Sequence, residues 1–258
     1  VGVLDKIIAS KRTELPELRG RRLPVRPTSR PSVSLKRAPG RPLSLICEIK
    51  KRSPSAGALS TALSVSERAK VYENSGASML SVLCDGPFFD GSYEDLSEAR
   101  KGTDLPLLCK EFIVDPSQLD AADAYGASAI LLIVRCLNDK ELSTLVEGAK
   151  ERQLVPLVEI FNEEEAKRAL DAGAEFIGVN ARDLDTLEMD SERANRIVGS
   201  LPDAVVAAHL SGVKAPTDVR RVAEGRADAA LIGEVLMRED APGALLSGLS
   251  EAAKTPRV

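Results

Sequence analysis

The chain is poor in the side chains that most often carry metal and nucleophile chemistry. It has one histidine, His209, no tryptophan, and four cysteines in 258 residues. A lone histidine gives a histidine metal site or a Ser-His-Asp triad little to stand on. The cysteines, Cys47, Cys84, Cys109 and Cys136, lie far apart in or near apolar runs and never as Cys-x-x-Cys. They read as reduced core thiols of a cytoplasmic protein, not as a metal or disulfide framework. No Gly-x-Gly-x-x-Gly turn occurs, which counts against a dinucleotide fold. No apolar run reaches the ~18 residues of a membrane span. Charge within the first six residues argues against a signal peptide. No histidine- or cysteine-based metal site and no membrane partner are expected.

What is present is ordinary in amount and uneven in place. Apolar residues make up 43% and charged residues 29%, as in soluble globular proteins. The net charge of −4 argues against a general nucleic-acid binder. Residues 1–42 nevertheless carry eleven Lys/Arg and three Asp/Glu, so this segment is basic and the remainder acidic. The basic segment suits either a solvated arm or an anionic ligand. Its first part, residues 3–18, has an amphipathic helical pattern through Leu4, Ile7, Ile8 and Leu15, which Pro16 is expected to end. Residues 19–44 are rich in arginine and proline. They predict a covering loop with one short helical turn near Ser34–Arg37.

Beyond Gly57 the pattern alternates. Short apolar runs at 79–83, 105–109, 129–134, 155–160, 175–179, 204–208 and 229–232 are each followed by a helical stretch. With the run at 45–49 this makes eight strand–helix units. Gly76, Gly126 and Gly173 stand just past helix ends, where a left-handed cap favours glycine. The spacing predicts a single (β/α)₈ barrel over 1–258, with residues 1–44 as an extension over its mouth. A doubly wound open sheet is the competing fold.

In such a barrel, chemistry sits where strands end. Glu48 and Lys50 share one face of the first strand, with Leu45, Cys47 and Ile49 on the other. Lys110 ends the third strand, Glu159 the fifth and Asn180 the sixth. Ser211-Gly212 follows the seventh and Gly233-Glu234 the eighth. Each has a structural alternative: an ion pair for Glu48, Lys50 or Glu159, an edge lysine for Lys110, a backbone partner for Asn180. Their joint placement at one end of the strands is what favours a site. Gly212 and Gly233 could offer backbone amides to a phosphate. The Ser53–Gly57 loop also suits an anion. Arg182 is a further anion contact, unless it pairs with Asp183 or Asp185.

These residues resemble a known family. The segments Leu4–Ile8 with Lys11-Arg12, Glu48–Ser55, Ser81–Leu83, Phe89–Ser92, Lys110–Val114, Leu131–Val134, Val158-Glu159, Gly178–Leu184 and Leu231–Arg238 are similar to indole-3-glycerol phosphate synthase across nearly the whole chain. The resemblance implies a carbon–carbon lyase without metal or organic cofactor. Its substrate would be a small anionic molecule, carboxyphenylamino-deoxyribulose phosphate, and its product indole-glycerol phosphate, with loss of carbon dioxide and water. It further implies Lys110 as acid on the ketone and Lys50 as a second acid. Glu48 and Glu159 would be carboxylates that move protons or hold the lysines, and Asn180 a positioning group. Ser211, Gly212, Gly233, Glu234 and Ser53 would lie at the phosphate, and Phe89, Phe112, Leu131 and Ile232 on the aromatic ring. A monomer is expected.

One position departs from the family pattern. The family usually has Ala-Glu-Ser-Gly at the end of strand seven, whereas this chain has Ala208-His209-Leu210-Ser211-Gly212. Leucine can neither accept a proton nor pair with an ammonium, and a missing acid/base group costs roughly 10²–10⁴ in rate. His209 could substitute only after a register shift, because it should face away from the lumen. Two other readings follow: a phosphosugar enzyme with Lys110 as a Schiff-base nucleophile, and a catalytically impaired barrel that only binds phosphorylated ligands.

Overall fold

The computed structural model describes residues 2–53, 57–183 and 185–257. Eight parallel strands close into a barrel in sequential order: β1 Ser44–Ile49, β2 Met79–Leu83, β3 Leu107–Lys110, β4 Ala129–Ile133, β5 Val155–Ile160, β6 Phe176–Val179, β7 Val206–His209 and β8 Ala229–Ile232. β1 pairs with β8 on one side and β2 on the other, so no barrel edge is left open. Helices follow the strands, and most begin at a sequence-encoded cap. Ser64, Asp115, Asn138 and Asn162 each accept a backbone N–H of the first turn. A two-residue antiparallel ladder, Arg52–Ser53 with Gly57–Ala58, leaves the top of β1. The intervening residues 54–56, which belong to the proposed anion loop, lie outside the described residues, as does Leu184 of the Gly178–Leu184 motif.

Period-two alternation divides the strands between two cores. Leu45, Cys47, Ile49, Cys109, Val158 and Ala207 face the helices. Ile46, Leu108, Leu157 and Ala208, from alternate strands, face inward. Two residues further along the same strands stand Glu48, Lys110, Glu159 and Leu210, and all four line one cavity at the carboxyl ends of the strands. The barrel register therefore lifts three ionisable groups and one leucine onto a floor of aliphatic side chains.

The arm does not simply cover the mouth. The helix α1, Val3–Gly20, lies there, with Val3, Leu4 and Ile7 on the cavity. It runs through Pro16 and does not stop there, because tertiary contacts hold it; Arg19, beyond the proline, pairs with Asp115 at 2.5 Å. The chain then descends the outside of the barrel. Arg26 pairs with Asp123 at 3.3 Å, and Arg30 donates to the Arg152 carbonyl at 2.7 Å. It finally crosses beneath the barrel, where Val33 and Leu35 join the lumen cluster from below. No helical turn forms at 34–37. Lys36 and the Arg37 backbone N–H instead reach a buried anchor, Asp228.

Asp228 is fully buried at the foot of β8. It accepts from the backbone N–H of Ala207 (2.9 Å) and Arg37 (3.0 Å), and pairs with Arg226 (2.9 Å), Lys36 (3.3 Å) and Arg257 (3.3 Å). Burial pushes its carboxyl up, but these donors outweigh burial and hold it below the usual carboxylate range. A depressed folded-state pKa contributes stability that is complete above the unfolded value and is lost as pH falls through the folded one. Asp228→Asn should cost about 2 kcal/mol near neutral pH, as expected for lost hydrogen bonds to a charged group. Denaturant titrations at pH 7 and pH 3 check this, and the gap between wild type and variant should narrow at the lower pH.

Candidate active site

β1 ends in charge because its last lumen-facing positions are Glu48 and Lys50. The Glu48 carboxylate is buried and bridges two ammonium groups, with Lys50 Nζ at 2.8 Å from Oε1 and Lys110 Nζ at 2.8 Å from Oε2. Burial pushes the Glu48 carboxyl up, but Lys110 and Lys50 outweigh it and hold it at about 2. Burial alone would lower Lys110; Glu48 and then Glu159 more than compensate, so it stays protonated. Gly233 at the top of β8 makes this arrangement possible. A Cβ there would lie 2.7 Å from Glu48 Oε1.

Glu159 is placed differently. It is buried, and no lysine bridges it among the described residues; Asn180 Nδ2 donates to its Oε1 at 2.9 Å. Burial raises its carboxyl above the usual range, with Lys110 and Asn180 opposing only in part. Asn180 is itself fixed. Ser211 Oγ donates to its Oδ1 at 2.6 Å, and the Arg182 N–H donates to the same oxygen at 3.0 Å. The Ala181 N–H in turn donates to Ser211 Oγ at 2.9 Å. Two carboxylates thus stand in one lumen with their proton affinities pushed apart, the usual sign of divided acid and base duties. Ser211 spends its hydroxyl on orienting Asn180.

The cavity has a volume of about 190 Å³ and is walled by most of the residues that the sequence singled out. Phe89 and Phe112 form one apolar side, their ring centroids 6.0 Å apart, with Leu131 beside them. Ser53, Arg182, Gly212, Gly233 and Glu234 also line it. The Arg182 guanidinium makes no ion pair among the described residues, because Arg135 takes Asp183 (3.4 Å) and Asp185 (3.9 Å). Glu234 turns its carboxylate onto Arg238 at 2.8 Å, one turn along the short helix Glu234–Met237. Its side chain is thereby engaged, and its backbone is the part suited to an anion. Gly212 has φ +88°, a left-handed conformation that side chains avoid.

Ile232 is a correction. It is fully buried in the outer core and does not reach the cavity; Leu231 does. The register pairs Leu231 with lumen-facing Ile46 and Ile232 with outward-facing Cys47. Counting back by two from Gly233 would have found Leu231. Lys214 and Glu111 also line the cavity. Glu111 was obscured because it adjoins Lys110 and should point outward by simple alternation; Lys214 carries no signal beyond its place after the Ser-Gly turn.

Leu210 fills the fourth position of the charged layer. It is 4% exposed and packs against Gly178, where a Cβ would come within 2.5 Å of its Cδ1. His209 faces the helices, as alternation requires, and burial pushes its imidazole down to about 4. It is neutral at pH 7 and outside the cavity.

The family model described as indole-3-glycerol phosphate synthase matches residues 4–248. A protein of that name from Streptomyces griseus is 41% identical over 266 residues, covering all of this chain and 98% of the relative. Another, from Mycobacteroides abscessus, is 42% identical over 220 residues, covering 85% of this chain and 80% of the relative. Solved structures share the fold at low identity. A 3-hexulose-6-phosphate synthase from Salmonella typhimurium superposes with a TM-score of 0.66 at 13% identity, covering 82% of this chain and 98% of that one. A tryptophan synthase alpha chain from Legionella pneumophila gives 0.61 at 16%, covering 82% and 92%. With the barrel, the charged lumen and the family match in place, the chain belongs to the indole-3-glycerol phosphate synthase family.

Proposed function

We propose that this chain closes the indole ring of carboxyphenylamino-deoxyribulose phosphate, with loss of carbon dioxide and water, as a carboxy-lyase. The observation that supports this best is Glu48 bridging Lys50 and Lys110 while Glu159 stands apart on Asn180. The reaction needs an acid at the ketone oxygen as the ring carbon bearing the carboxylate attacks. Lys110, held as an ammonium, supplies it. Loss of carbon dioxide leaves the bonding electrons in the ring system. The new hydroxyl then leaves as water, which needs a second proton donor and a base. Lys50 is the donor and Glu159 the base, while Glu48 holds both lysines in place.

The anionic ends of the substrate match the remaining cavity. Backbone amides at Gly212 and Gly233, with Ser53 near the hairpin, suit the phosphate. The Arg182 guanidinium suits a carboxylate. Phe89, Phe112, Leu131 and Leu231 suit the ring. The non-enzymatic reading has no observation in its favour, since both lysines and both carboxylates stand in the lumen. No helix among the described residues is long and apolar enough to cross a membrane.

Steady-state turnover followed by indole fluorescence tests the proposal directly. No product from the pure protein, under conditions where inorganic phosphate binds, would refute it. The raised Glu159 carboxyl adds a pH prediction. Activity should fall as pH drops through that raised value, because the base becomes protonated. The acid limb of kcat/KM should therefore lie above the ordinary carboxylate range and disappear in Glu159→Gln, whose residual rate should be about 10²-fold lower.

A further inference from the structure

Lys11 of α1 is 3% exposed, which is unusual for a lysine unless it is paired. Its Nζ lies 2.9 Å from Asp85 and 3.3 Å from Glu111, which are 0% and 2% exposed, and 2.7 Å from Glu14 on its own helix. Among the described residues, Asp85 and Glu111 have no other cationic partner. Lys11 itself does not line the catalytic cavity.

Each partner holds a different segment of one wall of that cavity. Asp85 caps the short helix Gly86–Phe89, accepting the Phe88 N–H at 2.8 Å, and so sets the segment that carries Phe89. Glu111 accepts the Phe112 N–H at 2.7 Å, and so sets the Phe112 backbone just after Lys110. The helix that carries Lys11 supplies Leu4 and Ile7 to the same cavity. One buried ammonium therefore ties together three segments far apart in sequence. Such an ion is costly to bury and tolerates few arrangements. The two carboxylates exceed the local positive charge. Burial accordingly pushes Glu111 up to about 7 despite Lys11.

We propose that Lys11, with Asp85 and Glu111, forms a positioning cluster that fixes the Phe89–Phe112 wall and thereby sets the affinity for the aromatic end of the substrate. This deepens the synthase reading and rests on it for the substrate's identity. The cluster touches no reacting atom. Its effect is on binding of the ring, while the phosphate end and the Lys50–Glu48–Lys110 bridge stay as they are.

The test uses the full chain carrying Lys11→Met or, separately, Asp85→Asn, which keeps an oxygen for the cap. Dissociation constants are titrated for 2-aminobenzoate, a probe of the ring end, and for inorganic phosphate, a probe of the other end. kcat and KM are measured on the same samples. The 2-aminobenzoate constant and KM should rise about tenfold, in line with loss of well-placed aromatic contacts, with kcat within about threefold and the phosphate constant within about twofold. Unchanged ring affinity in folded variants overturns the proposal, and so does an equal loss of both affinities. If Lys11→Met fails to fold, Asp85→Asn decides. A wild-type protein that binds both probes but makes no product sinks the synthase reading, while the two binding constants still judge the cluster.

Discussion

Lys110→Met should lower kcat about 10³-fold, within the span expected for loss of a general acid. The variant should remain folded, because the lysine stem is replaced by an apolar chain of similar length and Glu48 keeps Lys50 at 2.8 Å. The two lysines can be separated by what each variant still releases. If Lys110 protonates the ketone, its loss stops ring closure, and neither carbon dioxide nor indole fluorescence appears. If Lys50 acts in dehydration, Lys50→Met should release carbon dioxide in a first turnover while the indole signal lags. Single-turnover measurement of both products checks this. A Lys110→Met enzyme that releases carbon dioxide at the wild-type rate would reverse the two roles.

The second large effect concerns Leu210. It stands in the layer of Glu48, Lys110 and Glu159, contributed by alternate strands, where a carboxylate would face the same lumen as both lysines. An added carboxylate would offer a second group to accept or relay the proton proposed above for Glu159. Leu210→Glu should therefore raise kcat/KM by about 10²-fold, the lower end of what one acid/base group supplies. Leu210→Gln, with nearly the same shape and no charge, should not. Turnover unchanged in Leu210→Glu would show that this position does not limit the rate. Gly178 helps make room for a long side chain at 210, because the three atoms nearest to where its own Cβ would stand all belong to Leu210.

His209 illustrates how firmly the barrel decides such matters. The side chain is chemically able to act as a base, and it lies one residue from the vacant carboxylate position. Yet β7 pairs Val179 with His209 and Gly178 with Ala208, and that register turns the imidazole into the helix layer. A one-residue slip would expose it to the lumen but would also turn Ala208 and Leu210 outward. The fold holds the leucine inside and the histidine neutral.

Much of this was legible in the sequence because strand alternation is local. Two residues apart on a strand means one face, so Glu48 with Lys50 and the outward side of His209 follow from counting. The recurrent strand–helix spacing likewise favours a barrel over an open sheet, and closure of that barrel brings Lys110, Glu159 and Asn180 to one end. The same count, applied to β8, selects Leu231 over Ile232. Other features are not local. The arm's passage under the barrel depends on Asp228, 191 positions from Arg37. Lys11 meets Glu111 across 100 positions, and Ser211 meets Asn180 across 31. No periodicity within a segment encodes those meetings.

The sequence by itself determined the eight strand–helix units, the inward face of most strands and the chemical types that the mouth would hold. The tertiary structure alone decided that, among the described residues, Glu48 takes both lysines and Glu159 takes none, which sets their proton affinities apart. It also decided that Ser211 serves Asn180, and that the arm packs at both ends of the barrel. The physical reason is one of range. Side-chain direction is fixed by the few backbone bonds around a residue, whereas charge pairing and burial depend on which distant segments closure brings within about 3–4 Å, where Coulomb and hydrogen-bond energies become large.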